Sequence, residues 1–188
     1  MCYAYKPHVH PERMDRIPKA SIVFACGNSD VTFCHRSWLQ AILDKAASRA
    51  GQTFYFQSKN PSCFGGLAIS GNIVLVTTLE TDIDQLYRAE VSKTAPLPSE
   101  RYKQFYNLSH TRKVVTVEPV MEFTKGFPYA IRALKPEAVW VGYNTRPARV
   151  KLTEPPLYKT LRMIEYLRQA GIEVKEKDLQ RSPTEGCQ

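Results

Sequence analysis

With 188 residues, 43% of them hydrophobic, the chain is long enough to bury one core without disulfides or a structural metal. No run approaches the roughly 18 consecutive apolar residues of a membrane span, and the N-terminus has no apolar stretch of signal-peptide type, so a cytosolic protein is expected. Five cysteines, at 2, 26, 34, 63 and 187, form an odd set without a CxxC pair and read as free thiols or metal ligands, while the net charge of +8 favours anionic partners such as nucleic acid or phosphate-bearing metabolites.

In chain order, the first apolar, β-branched run is SIVFAC at 21–26. A helix comes next in which Trp38, Leu39, Ile42, Leu43 and Ala46 step at threes and fours behind Ser37 as N-cap. Strands are then predicted at 53–57 and 73–78, a short helix at 83–89, a longer one at 99–108, and a fourth strand at 114–118. A helix beginning near Gly126 or Phe127 ends at Leu134-Lys135-Pro136, ahead of a fifth strand at 138–142. Pro156 starts the last helix, with Leu157, Leu161, Ile164 and Leu167 as its apolar stripe and Gly171 as its stop, and a sixth strand lies at 172–175.

Most of these strands are nearly continuous in apolar character, as parallel strands covered on both faces are; the last alternates and suits an edge. Alternating β and α over six strands predicts a parallel α/β architecture, and since a full eight-stranded barrel usually needs about 250 residues, an incomplete (β/α) barrel of six units fits the length. One domain is expected over 1–180, with 181–188 as a frayed tail.

Parallel folds collect ligands at the C-terminal ends of their strands. The residues just beyond these ends include Asn28 and Asp30, Lys59, Thr78 and Glu80, Glu118, and Tyr143-Asn144. Asp30, Lys59, Glu80 and Glu118 come from four strands and are expected to face one mouth, where charges of both signs suit acid–base work or the grip of a zwitterion. No P-loop, GxGxxG or nucleophile elbow is present. His8 and His10 are candidate metal ligands without identified companions.

The ordered succession of Cys2-Tyr3-Ala4, Pro11-Glu12-Arg13, Arg16-Ile17-Pro18-Lys19, Cys26 to Asp30, Gln57-Ser58-Lys59-Asn60-Pro61, Thr77-Thr78-Leu79-Glu80 and Val117-Glu118-Pro119 resembles a radical-SAM-related family of phage, bacterial and archaeal proteins. The similarity runs from residue 2 to about residue 178. It implies an incomplete (β/α) barrel with a [4Fe–4S] cluster near its mouth that binds S-adenosylmethionine and cleaves it reductively. Three cysteines in a CxxxCxxC-like loop normally hold such a cluster, the last followed by an aromatic residue. Cys2, as metal ligand, and Tyr3 match that last position only, and a cluster needs further thiolates. A start that falls inside the cluster loop, a degenerate relative that keeps the barrel as a binding scaffold, and replacement of the missing ligands by Cys26, Cys34 and Cys63 all stand open.

By the same resemblance, Asp30, Asn28 and Thr78 would contact the cofactor, and Lys59, Glu80 and Glu118 would carry the chemistry of an unknown substrate. A complete cluster is not expected on this chain. The alternative is a non-catalytic nucleic-acid-binding protein, on the basic residues near aromatics in Arg101-Tyr102-Lys103, Arg112-Lys113 and Arg146 to Lys151. A metal-dependent enzyme using strand-end cysteines and carboxylates is a third reading. An exposed sheet edge would also offer a route to a dimer.

Overall fold

The computed structural model describes residues 16–25, 29–177 and 179. Six strands, β1 (Ile22–Ala25), β2 (Thr53–Gln57), β3 (Ile73–Thr78), β4 (Lys113–Val117), β5 (Ala138–Gly142) and β6 (Glu173–Lys177), form one sheet in chain order. Every neighbouring pair is parallel. The return paths carry α1 (Arg36–Ala47), α2 (Asp84–Glu90), α3 (Pro98–Tyr106), α4 (Phe127–Ala133) and α5 (Leu157–Gln169). Sequential order without reversal is the winding of a barrel, and the expected incomplete (β/α) barrel is the architecture found.

Curvature is visible in side chains. On a flat sheet, β1 and β5 would lie about 19 Å apart, four spacings of about 4.8 Å. Yet the rings of Phe24 on β1 and Trp140 on β5 have centroids 5.6 Å apart, with Tyr55 of β2 at 4.9 Å from Phe24 and 5.7 Å from Trp140. The sheet is therefore curled into a half-barrel, and alternate residues along each strand divide between two cores. Val23, Phe54, Phe56, Leu75, Val115, Val117, Val139 and Val141 point outward under the helices, whereas Val74, Val76, Val114, Ala138 and Trp140 form a smaller cluster with Tyr55 on the concave side. Both sets are apolar, which is why the strands read as continuous apolar runs.

Element ends obey local chemistry. The α1 N-cap is His35, whose ring accepts from the Ser37 amide, so the helix begins ahead of the expected Ser37 cap. Gly171, at φ 81°, ends α5: its N–H donates to Arg168 O and that of Ile172 to Leu167 O, the paired bonds of a Schellman cap. The buried stripe of α5 is Thr160, Met163, Ile164 and Leu167, while Leu161 is 43% exposed. Thr160 takes the inward position because its hydroxyl meets the buried Tyr143 hydroxyl at 2.9 Å. β6 has charged residues at every position but Val174 and lies at the sheet edge, where charges discourage further pairing. No helix among the described residues is long and apolar enough to cross a membrane. The tail expected at 181–188 falls outside the described residues.

Candidate functional site at the mouth of the half-barrel

The C-terminal ends of β1 to β4 carry a continuous polar chain. Asp30 is buried and caps the 3-10 turn Val31–Phe33, accepting from Thr32 N–H at 3.0 Å, from Ser58 Oγ at 2.6 Å and from Lys59 N–H at 2.7 Å. It thereby fixes the backbone from which Lys59 projects. Lys59 Nζ reaches Glu80 Oε1 at 2.5 Å, and the other carboxylate oxygen receives Arg101 Nη1 at 2.9 Å. Glu80 and Arg101 are both 0% exposed. Arg101 also donates to Thr78 O and Pro96 O and lies 4.4 Å over the ring of Tyr87, so α2 and α3 are clamped to the end of β3.

Further along the rim, the side chains belong to the concave face. Gln57 Nε2 donates to Thr78 Oγ1 at 2.9 Å, and Thr116 Oγ1 lies 2.8 Å from Thr78 Oγ1. Glu118 comes just after β4 on the same side as Thr116 and pairs with Lys177 of β6 at 3.2 Å. Lys177 Nζ also stands 5.2 Å over the Trp140 ring. Gly142, register partner of Lys177, allows this closeness: a Cβ there would sit 2.7 Å from the Lys177 carbonyl oxygen. Beneath the polar rim lie Tyr55 and Trp140, and Phe24 beside them is 48% exposed. The Trp140 Nε1–H is buried without an acceptor among the described residues.

Of the residues predicted from sequence, Asp30, Lys59 and Glu80 are joined in one network. Thr78 belongs to it through its carbonyl and to the concave face through its hydroxyl. Glu118 is not in that network; its partner is Lys177, on the far edge strand. Cys2, Tyr3, Cys26, Asn28, His8 and His10 lie outside the described residues. Sequence reasoning misses Arg101 as the partner of Glu80, and the trio Phe24, Tyr55 and Trp140. The available signal is an aromatic residue at the third position of each of the three strands.

Cys34 and Cys63, the described cysteines at this end, are free thiols. Burial pushes the Cys63 thiol up to about 12, with the Asp30 carboxylate adding to the rise, and burial also raises Cys34. Among the described residues no three His, Cys, Asp or Glu side chains converge to hold a metal ion. Three units above the ordinary value of 9.0, Cys63 is expected to alkylate with iodoacetamide about a thousandfold more slowly near neutral pH than an unperturbed thiol. Peptide mapping by mass spectrometry measures this; labelling of native Cys63 as fast as of the unfolded chain would overturn it.

Basic residues are distributed unlike a surface stripe. Arg101 is interior, and Lys113 is buried, donating to Phe105 O in the last turn of α3 and to Leu108 O just past it, with its ammonium pKa lowered by burial. Arg112 is held by Glu137. Of the three basic groups singled out in the sequence, the one from Arg146 to Lys151 is exposed at every position.

Neither a family model nor a curated protein matches this sequence. A solved structure does. SuiB of Streptococcus suis superposes with a TM-score of 0.52 at 10% identity, over 84% of this chain and 38% of SuiB. The likeness is one of fold, and the chain spans well under half the length of that relative.

Proposed function

We propose that this chain is a radical-SAM-type half-barrel whose concave face binds S-adenosylmethionine. The observation that carries this reading is the aromatic cluster across the curved sheet, Phe24 stacked on Tyr55 with Trp140 tilted against both, directly under a polar rim that ends in a carboxylate–ammonium pair. A flat purine needs an aromatic surface, a ribose needs hydroxyl and amide partners, and an amino-acid head needs one charge of each sign. Phe24 and Tyr55 would supply the first, Gln57, Thr78 and Thr116 the second, and Glu118 with Lys177 the third. The unpaired Trp140 Nε1–H adds a buried donor waiting for an acceptor, a cost that a bound ligand would remove. Glu118 and Lys177 are 30% and 48% exposed, and a pair so wetted contributes little, so exchanging each partner for the opposite group of a zwitterion is cheap.

S-adenosylmethionine brings an activated sulfonium to whatever site it occupies. Its reductive cleavage would need a cluster, and the described residues do not fit one, since no three of their His, Cys, Asp or Glu side chains converge. By resemblance Cys2 is one ligand. What the concave face offers is binding.

Titration with S-adenosylmethionine in a Trp38→Phe background isolates Trp140 fluorescence. A saturable change is expected, with Kd weakened about tenfold or more by Lys177→Met and by Glu118→Gln, the scale of one charge-assisted hydrogen bond. Absence of a saturable response, or an affinity indifferent to both substitutions, would remove the proposal.

A further inference from the structure

The connection from β5 to α5 is closed at its base. Asn144 N–H donates to Glu154 Oε1 at 2.6 Å, Asn144 Nδ2 donates to Val150 O, and the amides of Arg149 and Val150 both donate to Arg146 O at 3.0 Å. The Thr153 amide and hydroxyl donate to Glu90, and Glu122 N–H donates to Thr153 O, tying the returning limb to α2 and to the segment after β4. Below it the buried Tyr143 hydroxyl donates to Pro155 O. Residues 144–154 thus form a compact Ω-loop with fixed ends, a kind of loop that often carries function.

Its tip, residues 145–151, is exposed throughout and bears Arg146, Arg149 and Lys151. None of the three has an ion-pair partner among the described residues, although Arg101, Arg112, Lys159, Arg168 and Lys177 all do. The loop leaves β5 at Gly142, beside Lys177, and so stands at the C-terminal end of the sheet, the end at which Lys177 and Glu118 rim the concave face. On the opposite side of that face, β1 leaves Ile22 55% and Phe24 48% exposed. Three exposed cations on a loop with fixed ends, and an accessible aromatic ring across the same face, offer phosphate contacts and a stacking platform to one extended strand.

We propose that this loop and Phe24 together bind single-stranded nucleic acid, its phosphates on Arg146, Arg149 and Lys151 and a base on the Phe24 ring. A duplex hides its base faces and cannot use the platform, and a flat anionic membrane would meet the loop alone and leave the concave face uncovered. The Phe24 ring is also the one that the cofactor reading gives to a purine, so strand and S-adenosylmethionine would compete for it, and strand binding does not rest on that reading.

Fluorescence anisotropy with a labelled deoxythymidine oligomer of about a dozen nucleotides tests it across a salt series. Saturable binding is expected at low salt. The triple variant Arg146→Glu, Arg149→Glu, Lys151→Glu should weaken it about a hundredfold and reduce the slope of log K against log salt by about 2, three contacts at about 0.7 each. Phe24→Ala should weaken binding about tenfold while leaving the slope unchanged, because stacking releases no counterions. A control triple, Arg49→Glu, Lys135→Glu, Arg162→Glu, makes the same change in net charge at exposed positions away from the loop and should have a small effect. No saturable binding, equal losses in the two triples, or capture of anionic vesicles but not of the oligomer would each overturn the inference. Strand binding without a response to S-adenosylmethionine would sink only the cofactor reading, and the converse result only this one.

Discussion

Glu80→Gln is expected to destabilise the protein by about 3–5 kcal/mol, the scale for removing one partner of a buried ion pair. The substitution keeps the side-chain shape and deletes the charge. What it leaves behind is the Arg101 guanidinium, fully buried, with its Nη2 already lacking a partner among the described residues and its remaining bonds going to the Thr78 and Pro96 carbonyls. Carbonyls solvate a cation but do not neutralise it. In a chain of this length the loss corresponds to a melting temperature lower by roughly 10 °C. Lys59→Met removes the other partner of the same carboxylate, yet Lys59 is 29% exposed and its pairing is screened by water, so an effect below about 1 kcal/mol is expected. The double variant Glu80→Gln, Arg101→Met should recover much of the first loss, since no buried charge then stands alone. Thermal melts by circular dichroism decide the matter. A Glu80→Gln protein melting within about 2 °C of the parent would show that the Glu80–Arg101 pair does not fasten the end of β3.

The same pair shows what sequence alone can say of Glu80. Its place after a parallel strand suits a catalytic carboxylate, and so does a place in a clamp. The local sequence cannot separate them, because the partner that decides lies 21 residues on, in α3. Arg101 misleads in the opposite direction: next to Tyr102 and Lys103 it reads as part of a basic surface, while the fold turns it inward onto Glu80 and leaves its neighbours nearer to solvent. Strands, by contrast, are legible almost to the residue. A strand covered on both faces must be apolar at nearly every position, and no other element here combines short length with β-branched density. β6 declares its edge position by alternation. Leu161 misleads by type: the apolar periodicity of α5 runs through it, yet the inward places go to Thr160 and Met163, Thr160 by virtue of the Tyr143 hydroxyl.

That the three aromatics of the concave trio meet is out of reach for a different reason, although each marks the third position of its strand. Phe24, Tyr55 and Trp140 are brought together by curvature across five strands, and curvature has no period in the sequence. Asp30 illustrates the same limit at shorter range: three donors from two segments converge on it, and only their convergence turns a loop aspartate into the support for Lys59.

The trio makes a second large effect predictable. Trp140 stands against Val74, Val76, Val114 and Ala138 and fills the middle of the half-barrel. Trp140→Ala should therefore cost about 3–5 kcal/mol, transfer and cavity terms together. Trp140→Phe should cost far less, on the order of 1 kcal/mol, for a specific reason. The indole Nε1–H has no acceptor among the described residues, so its removal breaks none of their hydrogen bonds and relieves an unsatisfied buried donor; only part of the ring volume is lost. Urea unfolding measures both. If the phenyl variant proves as costly as the alanine one, the indole nitrogen must have a partner; if alanine is nearly neutral, the trio does not hold the curled sheet. Ligand affinity then separates scaffold from site. A phenyl ring in place of the Trp140 indole would restore the stacking surface but neither the donor nor the full ring beneath Lys177. A folded Trp140→Phe protein that binds S-adenosylmethionine weakly is therefore the outcome expected if the indole contacts ligand, and unchanged affinity would confine Trp140 to the core.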